Sequence, residues 1–185
     1  WEYATSHETD EILESSRRTL SDFLNCQVDE VIFGANMTTL TFHIARAIGR
    51  SLSAGDEIIV TDLDHQANVG PWKALERDYG VVITTIPMTS DCQLDVDMLT
   101  RQLSPKTKVV AVGAASNAVG TITDLGPIIS LSRANGSLVY VDAVHYAPHN
   151  LVDFAGLGAD FVACSPYKFY GPHSGVVAGR KDQLD

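Results

Sequence analysis

The chain has 185 residues, of which 45% are hydrophobic and 19% are charged, a composition typical of a globular domain. Its formal net charge of -10 argues against nucleic acid and against anionic membrane surfaces, because both attract basic faces. No apolar run approaches the roughly 20 residues that span a bilayer. We therefore expect a small-molecule partner, with no nucleic acid and no membrane.

The three cysteines, Cys26, Cys92 and Cys164, are scattered and lack CxxC spacing. This pattern predicts neither a disulfide framework nor a metal site, and it fits a reducing cytoplasm. No signal peptide is visible, and the sequence begins without methionine and stops at "KDQLD". We expect one domain over residues 1–185, and an interpretation as a piece of a longer protein fits both ends.

Hydrophobic periodicity predicts alternating helices and strands along the chain. The order starts with an amphipathic helix over residues 7–24 and continues with strand and helix pairs: "EVIFGANMT" with a helix over 39–51, "DEIIVTDLDH" with one over 70–79, "VVITTIPM" with the helix of "DVDMLTRQL", and "KVVAVGAASNAVG" with one over 125–135. Asp95 is placed to cap the fourth of these helices. The strands "SLVYVDAVHYAPH", "DFVACS" and "GVVAGR" complete the chain.

The predicted strands are rich in Val and Ile and lack strict polar alternation. Such strands are typical of a parallel sheet that is covered on both faces, and the intervening helices supply the cover. The sequence therefore predicts a three-layer α/β/α, doubly wound domain with a mostly parallel sheet of about seven strands.

Polar and reactive residues follow five of these strands. In open α/β sheets ligands bind at the carboxyl ends of the strands, so these residues are the candidate site. The strand ends carry Gly34 to Thr38, Asp64 and His65, Ser116 and Asn117, Asp142 with His145, and Ser165 with Lys168.

Each residue alone has a structural explanation, as a solvated lysine, a turn residue or a cap. Together they form a consistent chemical set. A small-residue loop before a helix suits a phosphate, and His65 can stack on a ring. Asp142 can hold a protonated ring nitrogen, and Lys168 can form an imine with an aldehyde. Phosphate, ring, basic nitrogen and aldehyde together describe pyridoxal 5′-phosphate (PLP).

The motifs "GANMTTLTF", "DEIIVTDLDHQANVGPW", "AASNAVGT", "VDAVHYAPH" and "CSPYKFYGPHSGVVAGR" resemble those of one family, in this order and at similar separations. The chain is similar to the large domain of class V aminotransferases of PLP fold type I, in the branch with cysteine desulfurases and selenocysteine lyases. The resemblance implies a PLP-dependent enzyme that works as a homodimer and carries a small C-terminal domain beyond this chain.

The resemblance also implies roles for single residues. Lys168 would be the Schiff-base lysine, Asp142 would pair with the pyridine nitrogen, and His65 would stack on the ring. The remaining positions would hold the cofactor's oxygens: Asn117 and His145 near the phenolic oxygen, and Asn36, Met37, Thr38 and Ser165 around the phosphate.

Two motifs depart from the desulfurase pattern. Tyr167 precedes the lysine where desulfurases commonly have His, and Gln66 replaces the second His of "HHAN". Asp142 with His145 is also similar to kynureninases. Cysteine desulfurase-like lyase or sulfurtransferase chemistry is therefore the first prediction, with class V transamination or kynureninase-like hydrolysis as alternatives.

Two further classes compete with this interpretation. A nucleotide-binding α/β domain would need a GxGxxG or GxxxxGK[ST] loop, and neither occurs. A truncated, non-catalytic PLP-binding or assembly module would keep the sheet and the lysine without a substrate-selecting domain.

Overall fold

A computed structural model describes residues 3–184, so residues 1, 2 and 185 of the predicted domain lie outside the described part. The sheet has seven strands in the order β1-β7-β6-β5-β4-β2-β3. The strands are β1 (Val31–Gly34), β2 (Glu57–Thr61), β3 (Val82–Ile86), β4 (Thr107–Gly113), β5 (Leu138–Asp142), β6 (Phe161–Cys164) and β7 (Gly175–Gly179).

The sheet is mostly parallel, as predicted. β2 pairs with β3 and β4, β4 with β5, and β5 with β6, all in parallel. β7 is antiparallel to both β6 and β1. The carboxyl ends of β1, β2, β4, β5 and β6 therefore share one edge of the sheet, and the amino end of β7 joins them there.

Six α-helices connect or flank the strands in the described residues. They are α1 (Ala4–Leu24), α2 (Met37–Gly49), α3 (Gln66–Tyr79), α4 (Val96–Gln102), α5 (Leu125–Ala134) and α6 (Phe154–Leu157). Short 3₁₀ turns occupy Val28–Glu30, Pro166–Phe169 and Lys181–Gln183. None of the helices within residues 3–184 combines the length and the apolar character needed to cross a membrane.

Capping side chains lie at the beginnings of α2 to α6. Asp95 caps α4 as predicted, since its carboxylate accepts the N–H of Met98. α2 and α3 begin earlier than predicted, by two and four residues, because Asn36 and His65 act as their N-caps. The first helix is also one turn longer, beginning at Ala4.

Helices cover both faces of the sheet. On one face α2 and α3 bury Leu40, Trp72 and Leu75 against strand residues such as Val60 and Tyr140. On the other face α1, α4, α5 and α6 pack over a second cluster, which contains Leu24, Leu99, Ile128, Phe154 and the alternate strand residues Ile59, Val110 and Val141. The predicted three-layer α/β/α architecture is confirmed.

A buried carboxylate ties β5, β6 and β7 together at the edge opposite the candidate site. Asp160 is 3% exposed. Its two oxygens accept the backbone N–H of Val139 at 2.7 Å and the guanidinium of Arg180 at 2.9 Å. Arg180 also pairs with the exposed carboxylate of Asp182 at 2.6 Å.

Replacing Asp160 with Ala should lower the free energy of unfolding by about 2–3 kcal/mol, because the buried N–H of Val139 loses its acceptor. Urea unfolding followed by far-UV circular dichroism measures this loss. Asp182→Ala removes the exposed partner of the same arginine and should leave the unfolding midpoint almost unchanged. Equal losses in the two variants would contradict this assignment.

Candidate active site

The beginning of α2 forms one wall of the candidate site. The Asn36 side chain accepts the N–H of Thr39 at 2.8 Å, which fixes the first turn of the helix. Farther along, the Thr41 hydroxyl lies 2.8 Å from the buried hydroxyl of Tyr140 and so links α2 to β5. The remaining N–H groups of the first turn have no partner within the helix, an arrangement that suits an anion.

Gly175, the first residue of β7, lets this wall approach the sheet. A Cβ at this position would lie 2.2 Å from the carbonyl carbon of Asn36 and 2.4 Å from the amide nitrogen of Met37. Both distances are shorter than real carbon contacts, and both atoms belong to the backbone. Only glycine therefore fits where β7 meets the start of α2.

The 3₁₀ turn after β6 carries the lysine. Ser165 follows the strand and is 1% exposed, and the backbone N–H of Lys168 donates to its carbonyl at 2.9 Å. The turn directs the Lys168 amine toward the end of β5, where Nζ lies 2.9 Å from Nε2 of His145. The lysine is intermediate in exposure, so its amine is reachable from solvent.

Asp142 ends β5 and lies at the bottom of the site, 6% exposed. Its Oδ1 accepts the N–H of Val144 at 2.9 Å. Burial raises the pKa of Asp142 to about 6, although this hydrogen bond and the nearby His65 and Lys168 act in the opposite direction. The carboxylate is therefore ionised at neutral pH, and the protein neutralises its negative charge only in part.

His65 stands at the start of α3. Its Nδ1 accepts the N–H of Ala67 at 3.0 Å, so in the neutral ring the proton is on Nε2. The ring is exposed and lines the same cavity as Asp142. The N-cap interaction thus fixes both the position and the tautomer of this imidazole.

A second carboxylate, that of Asp64, lies directly behind His65. It accepts hydrogen bonds from Thr61 Oγ1 at 2.5 Å and from Asn68 Nδ2 at 2.9 Å. Desolvation raises the pKa of Asp64 to about 7, with the negative charge of Asp142 acting in the same direction. Asp64 takes the space that a side chain at Gly113 would occupy, so the two acidic groups flank the end of β4.

These side chains surround one cavity of about 70 Å³. Its rim residues Thr38, His65 and Tyr167 are exposed, so the cavity is the floor of an open cleft. The lining consists of Asn36, Met37, Thr38, His65, Ala67, Asp142, Val144, His145, Ser165, Tyr167 and Lys168. Eight of the nine predicted site residues are therefore brought together; how each of them acts stays a prediction.

Asn117 is the exception. It lies in an exposed turn after β4 and is not among the residues that line the cavity. Sequence reasoning did not assign Ala67, Val144, Tyr167 and Gly175 to the site. The first three are chain neighbours of His65, Asp142 and Lys168, which is the signal that could have found them.

A larger cleft of about 580 Å³ lies between α5 and α6 on the other face of the sheet. Its walls are mostly apolar, and none of the predicted site residues lines it. We assign the site to the smaller cavity because polar and titratable groups from four strand ends converge there.

The fold and the converging groups define a class of three-layer α/β domain that carries a lysine and a buried carboxylate at the strand ends. The chain belongs to the aminotransferase class-V family, whose model matches residues 2–185. This result confirms the family predicted from the motifs.

Two curated relatives show the range of this family. A cysteine desulfurase of Yersinia pestis (strain Pestoides F) is 34% identical over 98% of this chain and 46% of its own length. An aminotransferase-like protein of Gibberella zeae is 35% identical over 97% of this chain and 45% of its own length. The chain thus spans about half the length of these relatives.

Solved structures agree with the predicted fold. The cysteine desulfurase CsdA of Escherichia coli superimposes with a TM-score of 0.91 at 29% identity, over 100% of this chain and 47% of that one. The apo cysteine desulfurase of Thermococcus onnurineus NA1 has a TM-score of 0.92 at 28% identity, over 98% and 46% of the two chains.

Replacing Gly175 with Ala should weaken PLP binding by at least about tenfold, because the new methyl group displaces the amides at the start of α2 from the anion. Fluorescence titration with PLP measures the change. Gly70→Ala is the matched control, since a Cβ at that helical position meets no atom within 4 Å. Unchanged affinity in Gly175→Ala would show that this wall does not hold the phosphate.

Proposed function

We propose that this chain is the cofactor-binding large domain of a PLP-dependent, cysteine desulfurase-like enzyme that acts on an amino acid. One observation carries the proposal: the amine of Lys168, the buried carboxylate of Asp142 and the start of α2 line a single cavity. An amine can bind an aldehyde, a carboxylate can bind a protonated pyridine, and the N–H groups at a helix start can bind a phosphate.

The phosphate fits the wall formed by Asn36, Met37 and Thr38. The free N–H groups of the first turn of α2 point to this wall, and the helix dipole favours an anion there. The Thr38 and Ser165 hydroxyls line the same cavity and can donate further hydrogen bonds. Because the chain's net charge is -10, this local arrangement has to supply the attraction for the anion by itself.

The ring fits between His65 and the floor of the cavity. Asp142 would hold the pyridine N–H by a charge-assisted hydrogen bond, for which its ionised form is required. His65, fixed by its bond to Ala67, would cover one ring face. When bound there, PLP supplies an electron sink that stabilises negative charge at the substrate's Cα.

Lys168 has two tasks in this arrangement. Its amine would hold the cofactor's aldehyde carbon, and, once the substrate has taken that position, Nζ would remove and return the proton at Cα. The position of Nζ near the end of β5 supports both tasks, since the amine and Asp142 then act on opposite ends of one ring.

Cysteine is the first substrate that we propose, from the names of the relatives. None of the three cysteines in this chain lines the cavity, and burial raises the pKa of the Cys164 thiol to about 12 and that of Cys26 to about 11. A sulfur-accepting thiolate would therefore come from outside this chain. A small C-terminal domain of a longer protein and a second subunit of a cytoplasmic homodimer are the proposed sources.

Transamination is the second candidate. It is supported by the aminotransferase-like relative at 35% identity and by Tyr167 at the rim, where desulfurases commonly have His. Kynureninase-like hydrolysis shares the Asp142 and His145 pair and would use the same lysine. Product analysis with cysteine, alanine plus a keto acid, and kynurenine separates the three reactions in a full-length protein.

The chain incubated with PLP and reduced with borohydride should carry one pyridoxyl group, on Lys168, as located by peptide mass mapping. The yellow absorbance before reduction should disappear in Lys168→Ala. Lys73→Ala removes an exposed lysine from α3 and is the matched control. A pyridoxyl group on other lysines, with none on Lys168, would contradict the proposal and favour a module without this chemistry.

Asp142 should bind PLP more tightly than asparagine at the same position, and this difference in affinity should depend on pH. Asp142→Asn should bind PLP about 10- to 100-fold more weakly at pH 8, the worth of a hydrogen bond to a charged group. The pKa of Asp142 is about 6, so the wild-type carboxyl becomes protonated as the pH falls through this value and loses its attraction for the ring. The ratio of the two dissociation constants should therefore shrink between pH 8 and pH 5; a constant ratio would contradict the role of Asp142.

A further inference from the structure

Among residues 3–184, the amine of Lys168 lies at hydrogen-bond distance from one side chain, the imidazole of His145. Nζ lies 2.9 Å from Nε2. While Lys168 is an ammonium, its Nζ can only donate, so Nε2 of His145 is then the acceptor and the proton of the neutral ring is on Nδ1. The two groups come from different strand ends, β6 and β5, so the fold itself fixes their contact.

The surroundings keep this imidazole neutral. Burial lowers the pKa of His145, and the charges of Lys168, His65 and His149 lower it further. These groups face it from the 3₁₀ turn after β6, from the start of α3 and from its own loop, while the ionised Asp142 is the acidic group in the same cavity. His145 therefore presents a free lone pair to the lysine at neutral pH.

We propose that His145 is the proton acceptor that prepares Lys168 for reaction. In this step the ammonium of Lys168 transfers one proton to Nε2 of His145, which leaves a neutral amine and an imidazolium. The N–H bond of the lysine breaks, the Nε2–H bond forms, and the charge moves from one residue to the other. The reverse transfer restores the ammonium group after the reaction. This proposal rests on the function of Lys168 proposed above.

The geometry favours proton transfer over a purely structural bond. The donor and acceptor atoms are within the 2.6–3.2 Å or so that general bases require. His145 is less buried than Asp142, and its ring lines the cavity at the floor of the open cleft. The imidazole can therefore exchange its proton with solvent as well as with Lys168. A glutamine side chain at this position would keep an acceptor oxygen near Nζ but could not take up a proton.

Reductive methylation of the cofactor-free chain tests the transfer directly. The lysine nitrogen gives up a proton as it adds to formaldehyde, before cyanoborohydride reduces the product, so a base held beside Nζ speeds this step. Peptide mass mapping gives the rate at Lys168 relative to the exposed Lys73 in the same sample. At pH 7, His145→Gln should slow this relative rate by about 10- to 100-fold, toward the low end of what a positioned proton acceptor contributes. His149→Gln removes a histidine from the same loop that is not in the cavity lining, and should leave the rate within about twofold of wild type.

A second measurement tests the same contact from the histidine side, through the titration midpoint of His145. In an NMR titration of the His145 Cε1–H signal, Lys168→Met should raise the midpoint relative to wild type, because a nearby cation has been removed. Lys73→Met should leave the midpoint where it is. If His145→Gln does not fold, His145→Ala replaces it, and added imidazole should then restore methylation of Lys168.

The outcomes separate this inference from the proposed function. Methylation of Lys168 at the wild-type rate in His145→Gln, or an unchanged His145 midpoint in Lys168→Met, would overturn the inference. Slower methylation of Lys168, together with PLP capture that is slower but still complete, supports both the proton transfer and the proposed function. Slower methylation in a chain that never captures PLP supports the proton transfer and refutes the PLP-binding function.

Discussion

The parallel alignment of β2, β4, β5 and β6 is the constraint on which the other features depend. Parallel neighbours cannot be joined by tight turns, so each connection crosses a face of the sheet, usually through a helix. The crossovers provide the two apolar layers, which hold α2 and α3 on one face and α1, α4, α5 and α6 on the other. The same alignment places the carboxyl ends of the strands at one edge, where side chains far apart in sequence meet.

The reversed strand β7 adds a second constraint at that edge. Because β7 is antiparallel to β6, its first residue, Gly175, lies beside the last residues of its neighbours. The missing side chain at Gly175 allows the peptide between Asn36 and Met37 to contact the sheet. The start of α2 is thereby fixed next to Ser165 and Lys168, and the first turn of α2 and the lysine amine share one cavity.

Much of the fold could be predicted from local signals, whereas the details of the site depend on contacts across the fold. Val-rich strands and helical periodicity identified all seven strands and five of the helices. The predicted start of α3, at residue 70, is four residues too late because the cap on His65 determines the real one. The fit of Gly175 against Asn36 joins positions far apart in the chain, and no periodic pattern records such a contact. The place of Asn117 depends on the conformation of one exposed turn, which sequence spacing does not determine.

Charge, more than volume, distinguishes the small cavity from the large cleft. Asp142 is buried with one backbone hydrogen bond, and Asp64 lies nearby, so the free chain holds two carboxyls whose pKa values are raised to about 6 and about 7. Such an arrangement costs stability in the absence of a cation, and it persists only where the surrounding structure holds it in place. A protonated ring nitrogen beside Asp142 would supply the missing positive charge. The mostly apolar cleft between α5 and α6 does not place such a pair of buried carboxyl groups together, so its size alone does not identify a site for chemistry.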